Sequence, residues 1–519
     1  MNENSLVLTL DFGTQSVRAL IIDKDGQVLV NVKEQYEQAY FSIKPGYCEQ
    51  YPQYYWDKLC KACKELTANH KDLMDRVACV SMTCFRDSSV LLDENNEVIR
   101  PSILWLDQRM AEGKTKLPLL QRVLFKIVGM TDAIDINHRR TAAVWLQENE
   151  PENWAKTKHY VNISTYFVYR LVGELVDSIG NQTGHYPIDF KKKKWYKETD
   201  LKYPIFGVDR EMCCRIVQSG EVLGKITKKC SEETGLKEGL VLIATGSDKA
   251  CETLGTGCLT KDKASISYGT ASTIEVSNPK YIEPEQFLPA YPAAIPNLYN
   301  MEVQIYRGYW MITWFTKEFA KKESVEATIQ KLAVEEYLNE KLLQIPPGSE
   351  GLVLQPYWGP GLKRPNAKGA IIGFSDCHTL YHVYRSIVEG VAYGLRDGLE
   401  GIEKRQHHKV DEIAVSGGGS RSDAICQITA DIFGVPVYRV QTNETASLGC
   451  AIVAYKYLNV YKDYDEAVKN MVHKSVVFKP NQDNHEKYDV LFNKVYKKMF
   501  NKLSGIYLDI KEFNKKYTK

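Results

Sequence analysis

The stretch Leu8–Gly26, LTLDFGTQSVRALIIDKDG, sets two apolar runs on either side of a polar turn. Apolar and polar residues alternate in LVLTLD and again in VRALIID, and this alternation is typical of β-strands. Lys24-Asp25-Gly26 supplies the residue types of a second turn. The chain from Leu6 to Val32 therefore predicts three strands joined by consecutive hairpins.

Helices and strands alternate after this opening, and the opening pattern then returns. Residues 54–70, YYWDKLCKACKELTANH, have helical periodicity, and residues 77–85, VACVSMTCF, form an apolar strand pattern. Such alternation predicts α/β architecture. VLIATGSDKACETLG and ASISYGTASTIEVSNP, residues 241–255 and 264–279, repeat the design of strand, polar turn and strand. We expect two similar halves that face each other across a cleft: an N-terminal domain 1–245, a C-terminal domain 246–480, and a closing helix and tail 481–519.

Composition narrows the class of protein. The 519 residues carry 67 basic and 65 acidic side chains, a net charge of +2, which gives no electrostatic reason to expect a nucleic acid or an anionic membrane as partner. The first residues, MNENSLVLTLD, lack the features of a signal peptide, and no run reaches the roughly 20 apolar residues of a membrane helix. Thirteen scattered cysteines are expected as reduced thiols in the cytoplasm, and Cys60 and Cys63 fall within a helical pattern rather than a metal site.

Four polar turns are candidates for binding phosphate, because glycine lets the backbone N–H groups approach an anion closely. None of them has the GxxxxGK[ST] pattern, and each one alone is more often a structural turn. The glycine-rich turn 416–420 is the strongest, because it lies between the strand-like DEIAVS and the helix-like DAICQITADIF. The four turns are Asp11–Ser16, Gly246–Asp248, Tyr268–Ser272 and Ser416–Ser420.

Two aspartates accompany these turns. Phosphoryl transfer needs a carboxylate near Mg²⁺ and another that accepts the proton of the attacking hydroxyl group. Asp11 ends the first strand pattern, and Asp248 follows Gly246-Ser247. Either residue alone is compatible with a turn or a helix cap. Together with the glycine turns, in this order along the chain, they favour phosphoryl transfer.

At these residues the chain resembles the FGGY family of carbohydrate kinases, within the actin-like ATPase superfamily. The resemblance covers nearly the whole chain and implies an α/β fold of two actin-like (ribonuclease H-like) domains, with nucleotide and sugar in the cleft between them. Its motifs are DFGTQSVRA (11–19), GYCEQYPQYYW (46–56), WLDQR (105–109), GSDKACETLG (246–255), SYGTAS (267–272), GAIIGFSDCHTLYHVYRSIVEG (369–390), SGGGSRSDAICQITADIFGVPV (416–437) and ETASLGCAIVA (444–454).

The resemblance also implies roles for individual residues. Asp248 would be the general base, and Asp11 would lie near Mg²⁺ through water. The residues implied to bind the nucleotide and its phosphates are Thr14, Gln15, Ser16, Arg18, Gly269, Thr270, Gly417, Gly418 and Ser422.

The implied substrate segment departs from the family in informative ways. Arg86 and Asp87 resemble the Arg–Glu pair of glycerol kinases, and an adjacent donor and acceptor suit neighbouring hydroxyl groups. A surface ion pair is the alternative. Trp105 is similar to the substrate-side tryptophan of the family, or belongs to the core. Lys249 stands where glycerol kinases have glutamine, so it either lies beside the reacting hydroxyl group, where a larger or anionic substrate would suit it, or points to solvent.

These observations predict an ATP- and Mg²⁺-dependent carbohydrate kinase that phosphorylates a hydroxyl group of a polyol or ketose. One alternative is a kinase for ketopentoses of the xylulose or ribulose type, or for an autoinducer-type sugar. Another is a non-catalytic sugar- or nucleotide-binding regulator, but the presence of both Asp11 and Asp248 argues against it. The expected partner is a small sugar or polyol, with no nucleic acid and no membrane. A homodimer is the one oligomer we consider.

Overall fold

The computed structural model describes residues 5–127, 131–286, 288–358, 364 and 366–517. The chain divides into two compact units. Unit 1 comprises Met1–Gly255, Tyr291–Tyr299 and Glu444–Val472, and unit 2 comprises Thr256–Ala290, Asn300–Asn443 and His473–Lys519. This division differs from the domain boundaries expected from the sequence, because residues 246–255, 291–299 and 444–472 fall in unit 1.

A mixed sheet forms the centre of unit 1. The two hairpins predicted from the opening residues are confirmed, since the first three strands pair antiparallel in sequence order. The strand Val77–Cys84 runs parallel to Leu6–Phe12, and every residue of Leu6–Phe12 is buried, as befits a central strand. The strand order is Val222–Lys225, Val241–Ile243, Val77–Cys84, Leu6–Phe12, Ser16–Ile22 and Val28–Gln35.

The sheet of unit 2 repeats this arrangement. Lys263–Tyr268 pairs antiparallel with Ser272–Asn278 and parallel with Glu412–Ser416, and an antiparallel strand again follows the parallel strands. The two units therefore share one sheet topology, which confirms the repeat predicted from the sequence. Six strands of this sheet lie in the order Tyr299–Ile305, Ser272–Asn278, Lys263–Tyr268, Glu412–Ser416, Val437–Val440 and Lys474–Phe478.

The remaining elements surround these sheets. The other strands are Glu49–Gln50, Ser89–Leu92, Ser102–Ile103, His159–Asn162, Val176–Ser178, Ile188–Asp189, Lys194–Trp195, Arg215–Val217, Tyr291–Pro292, Val353–Gln355 and Ala370–Ile372. The α-helices of unit 1 are Pro52–Asn69, Lys71–Met74, Leu119–Ile127, Thr131–Arg140, Ala142–Asn149, Pro151–Lys156, Ile163–Val172, Lys228–Thr234, Asp248–Gly255, Thr445–Tyr457 and Tyr464–Met471. Those of unit 2 are Trp310–Phe319, Lys321–Ile329, Val334–Leu342, Leu380–Gln406, Asp423–Phe433, Gln482–Leu491 and Lys497–Tyr517.

Two glycines explain why residues 444–472 belong to unit 1. A Cβ atom on Gly255 would lie 1.9 Å from the backbone oxygen of Thr445, and one on Gly449 would lie 1.9 Å from the backbone oxygen of Cys251. The helices Asp248–Gly255 and Thr445–Tyr457 therefore touch backbone to backbone, which only glycine permits at these two positions.

In the part of the chain that the structure describes, no helix combines the length and the apolarity needed to cross a bilayer.

Candidate active site

The helix Asp248–Gly255 begins at a tightly constrained point of unit 1. Gly246 forms a parallel bridge with Gly180, and the Ser247 N–H donates to the Gly180 oxygen at 3.0 Å. The Thr83 hydroxyl donates to the Gly246 oxygen at 3.0 Å. A Cβ atom on Gly246 would lie 2.9 Å from that of Ala250, so the turn has no room for a side chain there. These contacts fix the position from which the Asp248 carboxylate projects.

The carboxylate of Asp248 combines partial burial with access to solvent. Its side chain is 25% exposed, and Arg86 Nε lies 4.0 Å from Asp248 Oδ1. Burial raises the pKa of Asp248, the cations Lys249 and Arg86 lower it, and Glu252 raises it, with a net upward shift. A reachable carboxylate with a raised pKa is suited to accept a proton.

Asp11 and Arg18 face each other across the first hairpin. They are paired residues of the antiparallel ladder, and Arg18 Nη1 donates to Asp11 Oδ2 at 2.8 Å. Burial raises the pKa of Asp11 to about 6; Arg18 opposes this shift, whereas Glu444 and Asp248 add to it. The structure thus brings both predicted aspartates into one electrostatic environment within unit 1.

The residues around Asp11 fit a magnesium ion held partly by water and phosphate. Among the described residues, no group of three or more His, Cys, Asp or Glu side chains could enclose a metal ion. Mg²⁺ prefers oxygen ligands, keeps several waters and commonly uses one or two carboxylates together with substrate phosphates. Asp11 supplies one such carboxylate, and the negative charge of Asp248 acts on it.

The polar residues in the turn of the first hairpin differ in their exposure to solvent. The Gly13 N–H donates to the Ser16 oxygen at 3.0 Å, and the Gln15 oxygen accepts from the Tyr36 N–H at 3.0 Å. Thr14 is half-buried and Gln15 is exposed, whereas Ser16 is buried within the sheet. Thr14 and Gln15 are therefore the accessible members of the predicted phosphate turn.

Glu444 is a site residue that the sequence reasoning missed. Its carboxylate lies 3.3 Å from Arg18 Nε, and Asn31 donates to its other oxygen at 3.3 Å. Glu444 immediately precedes the helix Thr445–Tyr457, which touches the helix of Asp248. The ETASLG motif contains this glutamate, but nothing local in that motif indicates Arg18, more than 400 residues earlier, as its partner.

Arg86 covers an aromatic ring as well as facing Asp248. It follows the buried strand Val77–Cys84, and its guanidinium carbon lies 5.5 Å from the centre of the Tyr291 ring. Tyr291 belongs to the segment Tyr291–Tyr299 that unit 1 takes from later in the chain. The sequence motifs did not indicate Tyr291 as a neighbour of Arg86.

Asp87 has a partner that the sequence did not indicate. Its Oδ2 lies 2.8 Å from His185 Nδ1, and its Oδ1 accepts from the His185 N–H at 2.9 Å. Attraction to His185 lowers the pKa of Asp87 despite burial, and Asp87 raises the pKa of His185. The sequence predicted that Arg86 and Asp87 act as donor and acceptor for substrate hydroxyl groups. In the structure both oxygens of the Asp87 carboxylate accept hydrogen bonds from His185.

Lys249 is paired within its own helix. Its Nζ lies 2.8 Å from Glu252 Oε2, and the side chains are 17% and 11% exposed. Burial lowers the pKa of Lys249, but Glu252 and Asp248 outweigh it and leave the pKa raised. Lys249 therefore does not point freely to solvent, and a carboxylate balances its charge.

Trp105 and its neighbours are tied into unit 1. The Trp105 N–H donates to the Ser88 hydroxyl at 3.1 Å, and its side chain is half-buried. Asp107 binds Arg109 through both oxygens, at 2.8 and 2.7 Å, and that guanidinium carbon lies 3.9 Å from the centre of the Tyr47 ring. Asp107 thus serves a buried ion pair, while Trp105 keeps an accessible surface.

Unit 2 holds the second predicted phosphate turn. Gly269 and Thr270 connect the two hairpin strands, and their backbone oxygens accept from the N–H groups of Tyr309 and Trp310 at 3.2 and 3.3 Å. A Cβ atom on Gly308 would lie 2.1 Å from the Ser272 hydroxyl. The segment 308–310 is therefore packed directly against this turn.

The glycine-rich turn of unit 2 lies between a strand and a helix, as predicted. Gly417 has φ +79° and ψ −178°, a conformation that favours glycine. A Cβ atom there would also lie 2.8 Å from the Tyr268 oxygen, so glycine is required for both reasons. Gly418 begins a 3₁₀ turn. The Ser422 hydroxyl accepts from the Ile425 N–H at 3.4 Å and caps the helix Asp423–Phe433. Free N–H groups at such a helix start are suited to bind an anion.

The predicted site residues divide between the units. Unit 1 contains Asp11, Thr14, Gln15, Ser16, Arg18, Arg86, Asp87, Trp105, Asp248 and Lys249, and unit 2 contains Gly269, Thr270, Gly417, Gly418 and Ser422. The structure thus groups the two aspartates with the residues predicted to bind substrate.

Comparison with known proteins gives matches over most of the chain. Residues 6–255 match the model of the N-terminal domain of the FGGY family of carbohydrate kinases, and residues 264–457 match that of its C-terminal domain. Xylulose kinase from Lactococcus lactis is 28% identical over 516 residues, which cover 98% of this chain and 99% of that protein.

Two solved structures have the same fold. Ligand-bound xylulose kinase from Lactobacillus acidophilus aligns with a TM-score of 0.80 at 22% identity, covering 98% of this chain and 100% of that one. Gluconate kinase from Lactobacillus acidophilus aligns with a TM-score of 0.79 at 22% identity and the same coverage.

Proposed function

Since this chain belongs to the FGGY family of carbohydrate kinases, we propose that it transfers the γ-phosphate of ATP to a hydroxyl group of a ketose or polyol, with Asp248 as the general base. In this reaction the oxygen of the acceptor bonds to phosphorus while the bond from phosphorus to ADP breaks. The Asp248 carboxylate takes the hydroxyl proton.

The observation that carries this proposal is the state of Asp248. Its carboxylate is partly exposed, has a raised pKa and projects from a helix start fixed by contacts to Gly180 and Thr83. A base must be reachable by its substrate and must be held in one place while the proton moves. Asp248 meets both conditions.

A ketopentose is the acceptor that we favour. The xylulose kinase of Lactococcus lactis matches 98% of this chain, which supports a sugar of that class. The Lys249–Glu252 ion pair supports an uncharged acceptor, because the lysine charge is already balanced. A polyol is the second candidate, and the Arg86-Asp87 sequence favours it, although Asp87 binds His185.

The proposal assigns the nucleotide and its metal ion to three groups of residues. Thr14 and Gln15 would bind the terminal phosphates, with Arg18 and Ser16 behind them. Gly269, Thr270, Gly417, Gly418 and Ser422 would bind the rest of the nucleotide. Asp11 would hold Mg²⁺ through water, and the ion would neutralise charge on the phosphate oxygens.

We place this activity in the cytoplasm. Support comes from the cysteines, all thirteen of which are free thiols, a state typical of a reducing compartment.

A coupled assay of ADP release tests the proposal. The acceptors are D-xylulose, D-ribulose, glycerol and D-gluconate. With the acceptor that supports turnover, Asp248→Asn is expected to lower kcat by about 10²- to 10⁴-fold and to leave the KM for ATP nearly unchanged.

Asp463→Asn is the matched control, because Asp463 also starts a helix of unit 1 but caps it through Glu466 N–H, a contact that asparagine can keep. Near wild-type turnover in Asp248→Asn would refute the role of Asp248. Absence of turnover with every acceptor would refute the proposed substrates.

A further inference from the structure

Resting on the proposed function, we propose that His185 is an additional substrate-binding residue, whose imidazole is oriented by Asp87 and presents its Nε2–H to a hydroxyl oxygen of the sugar. The motifs quoted from the sequence do not include this histidine. The structure connects it to the site by two separate routes.

The first step of the argument is the orientation of the ring. An ionised carboxylate only accepts hydrogen bonds, so the 2.8 Å contact with Asp87 Oδ2 places a proton on His185 Nδ1. The second contact, from the His185 N–H to Asp87 Oδ1 at 2.9 Å, fixes the backbone as well. Both contacts leave Nε2 on the side of the ring that faces away from Asp87.

The backbone around this pair is built for close approach. Asp87 adopts φ +50°, which is uncommon for a residue with a side chain. Gly184 has φ +114°, and a Cβ atom there would lie 2.2 Å from Asp87 Oδ1. Strained backbone of this kind is found most often where a functional group must be held in place.

Two contacts link the segment of His185 to segments that adjoin Asp248. Along the first, Asp87 directly follows Arg86, whose guanidinium lies 4.0 Å from Asp248 Oδ1. Along the second, the loop that leads to His185 begins at Gly180, which bridges to Gly246 two residues before Asp248. His185 is therefore linked through Asp87 to the segment of Arg86, and the start of its loop is linked through Gly180 to the turn that precedes Asp248.

Charge and exposure favour a hydroxyl group as the ligand. The His185 side chain is 31% exposed, so a ligand can reach it. Burial and Arg140 lower the pKa of His185, but Asp87 outweighs them and leaves the pKa raised. Asp87 thus favours the protonated ring, in which both nitrogens donate, and it balances the charge of that ring. Such a pair suits a neutral hydroxyl oxygen better than a carboxylate.

His185→Gln tests the proposal in the full chain, with His70→Gln as the control. His70 lies in unit 1 between the helices Pro52–Asn69 and Lys71–Met74. The control therefore removes an imidazole from the same unit by the same substitution. D-xylulose, D-ribulose and glycerol are titrated by calorimetry, and KM values are measured for sugar and for ATP. His185→Gln is expected to weaken sugar binding by about 10- to 100-fold, the range of a hydrogen bond to a charged group, and to change the KM for ATP less than twofold.

A second variant separates substrate binding from a structural role. In the wild type the KM for sugar should rise as the pH passes the raised pKa of His185, and Asp87→Asn should move this rise to lower pH. A purely structural histidine would produce no such shift.

The outcomes are distinguishable from a failure of the proposed function. Unchanged sugar affinity in His185→Gln, or equal losses for sugar and ATP, would overturn the role of His185. If the wild type binds a sugar without turnover, the phosphotransfer proposal fails, and the calorimetric comparison still decides on His185. If none of the three sugars binds the wild type, the His185 proposal is overturned as well.

Discussion

The guanidinium of Arg86 lies 4.0 Å from the Asp248 carboxylate and 5.5 Å from the centre of the Tyr291 ring. This position is too far from Asp248 for a strong hydrogen bond but close enough for attraction. Arg86 therefore lies beside the base, and its charge acts on the base itself.

Arg86→Gln is expected to raise the KM for sugar by about 10-fold or more, because a charged donor to the substrate is lost. The KM for ATP should change little. Arg170→Gln is the matched control, since Arg170 also pairs with a carboxylate, Glu233, and covers an aromatic ring, Trp56. Equal losses for sugar and ATP in Arg86→Gln would contradict a position beside the substrate.

The pH dependence of kcat/KM should report on Asp248. Its pKa lies above the ordinary aspartate value of about 3.9 because of burial, so the base becomes protonated, and activity falls, at a higher pH than for an exposed aspartate. Arg86→Gln removes a charge that lowers this pKa and should move the acid limb to higher pH, whereas Arg86→Lys should not. An acid limb that moves to lower pH in Arg86→Gln would contradict the assignment.

Asp11→Asn and Glu444→Gln separate metal binding from support of Arg18. Both variants remove a carboxylate partner of that arginine, at 2.8 and 3.3 Å respectively. Only Asp11→Asn should raise the Mg²⁺ concentration required for half-maximal activity, by about 10-fold or more, as expected when a partner of the metal-bound water is lost. Titration of MgCl₂ at fixed ATP measures this value. The same increase in Glu444→Gln would show that Arg18, rather than the metal, accounts for the effect.

Elements with a local signal could be predicted from the sequence. Alternating residues gave both hairpins, and helical periodicity over DAICQITADIF matches the helix Asp423–Phe433. The repeat of strand, turn and strand near residue 264 correctly predicted a second sheet of the same topology. Each of these signals lies within about twenty consecutive residues, where side-chain periodicity reflects the face that a strand or helix buries.

Contacts between distant segments could not be predicted in this way. His185 meets Asp87 across 98 positions, and Glu444 reaches Arg18 from the segment that returns to unit 1 late in the chain. Neither contact leaves a periodic pattern, because each depends on where the fold places two loops. The partner of Lys249 is different: Glu252 lies three residues later on the same helix, at a spacing that could have been recognised.

Gly417→Ala tests the nucleotide half of the site. Gly417 has φ +79° and ψ −178°, a combination that residues with a side chain adopt only at a cost of about 1–3 kcal/mol, and its Cβ atom would lie 2.8 Å from the Tyr268 oxygen. Because Tyr268 directly precedes Gly269, relief of this clash would displace the turns at 269–270 and 417–418 from each other. The KM for ATP is expected to rise by about 10-fold or more, with the calorimetric affinity for sugar unchanged, since the residues predicted to bind sugar lie in unit 1.

Gly351→Ala is the matched control. Gly351 also belongs to unit 2 and has φ +91°, but nothing lies within 4 Å of its Cβ position, so the substitution introduces backbone strain without a clash. A normal KM for ATP in Gly417→Ala, or an equal rise in Gly351→Ala, would contradict a role of the 417–418 turn in binding the nucleotide.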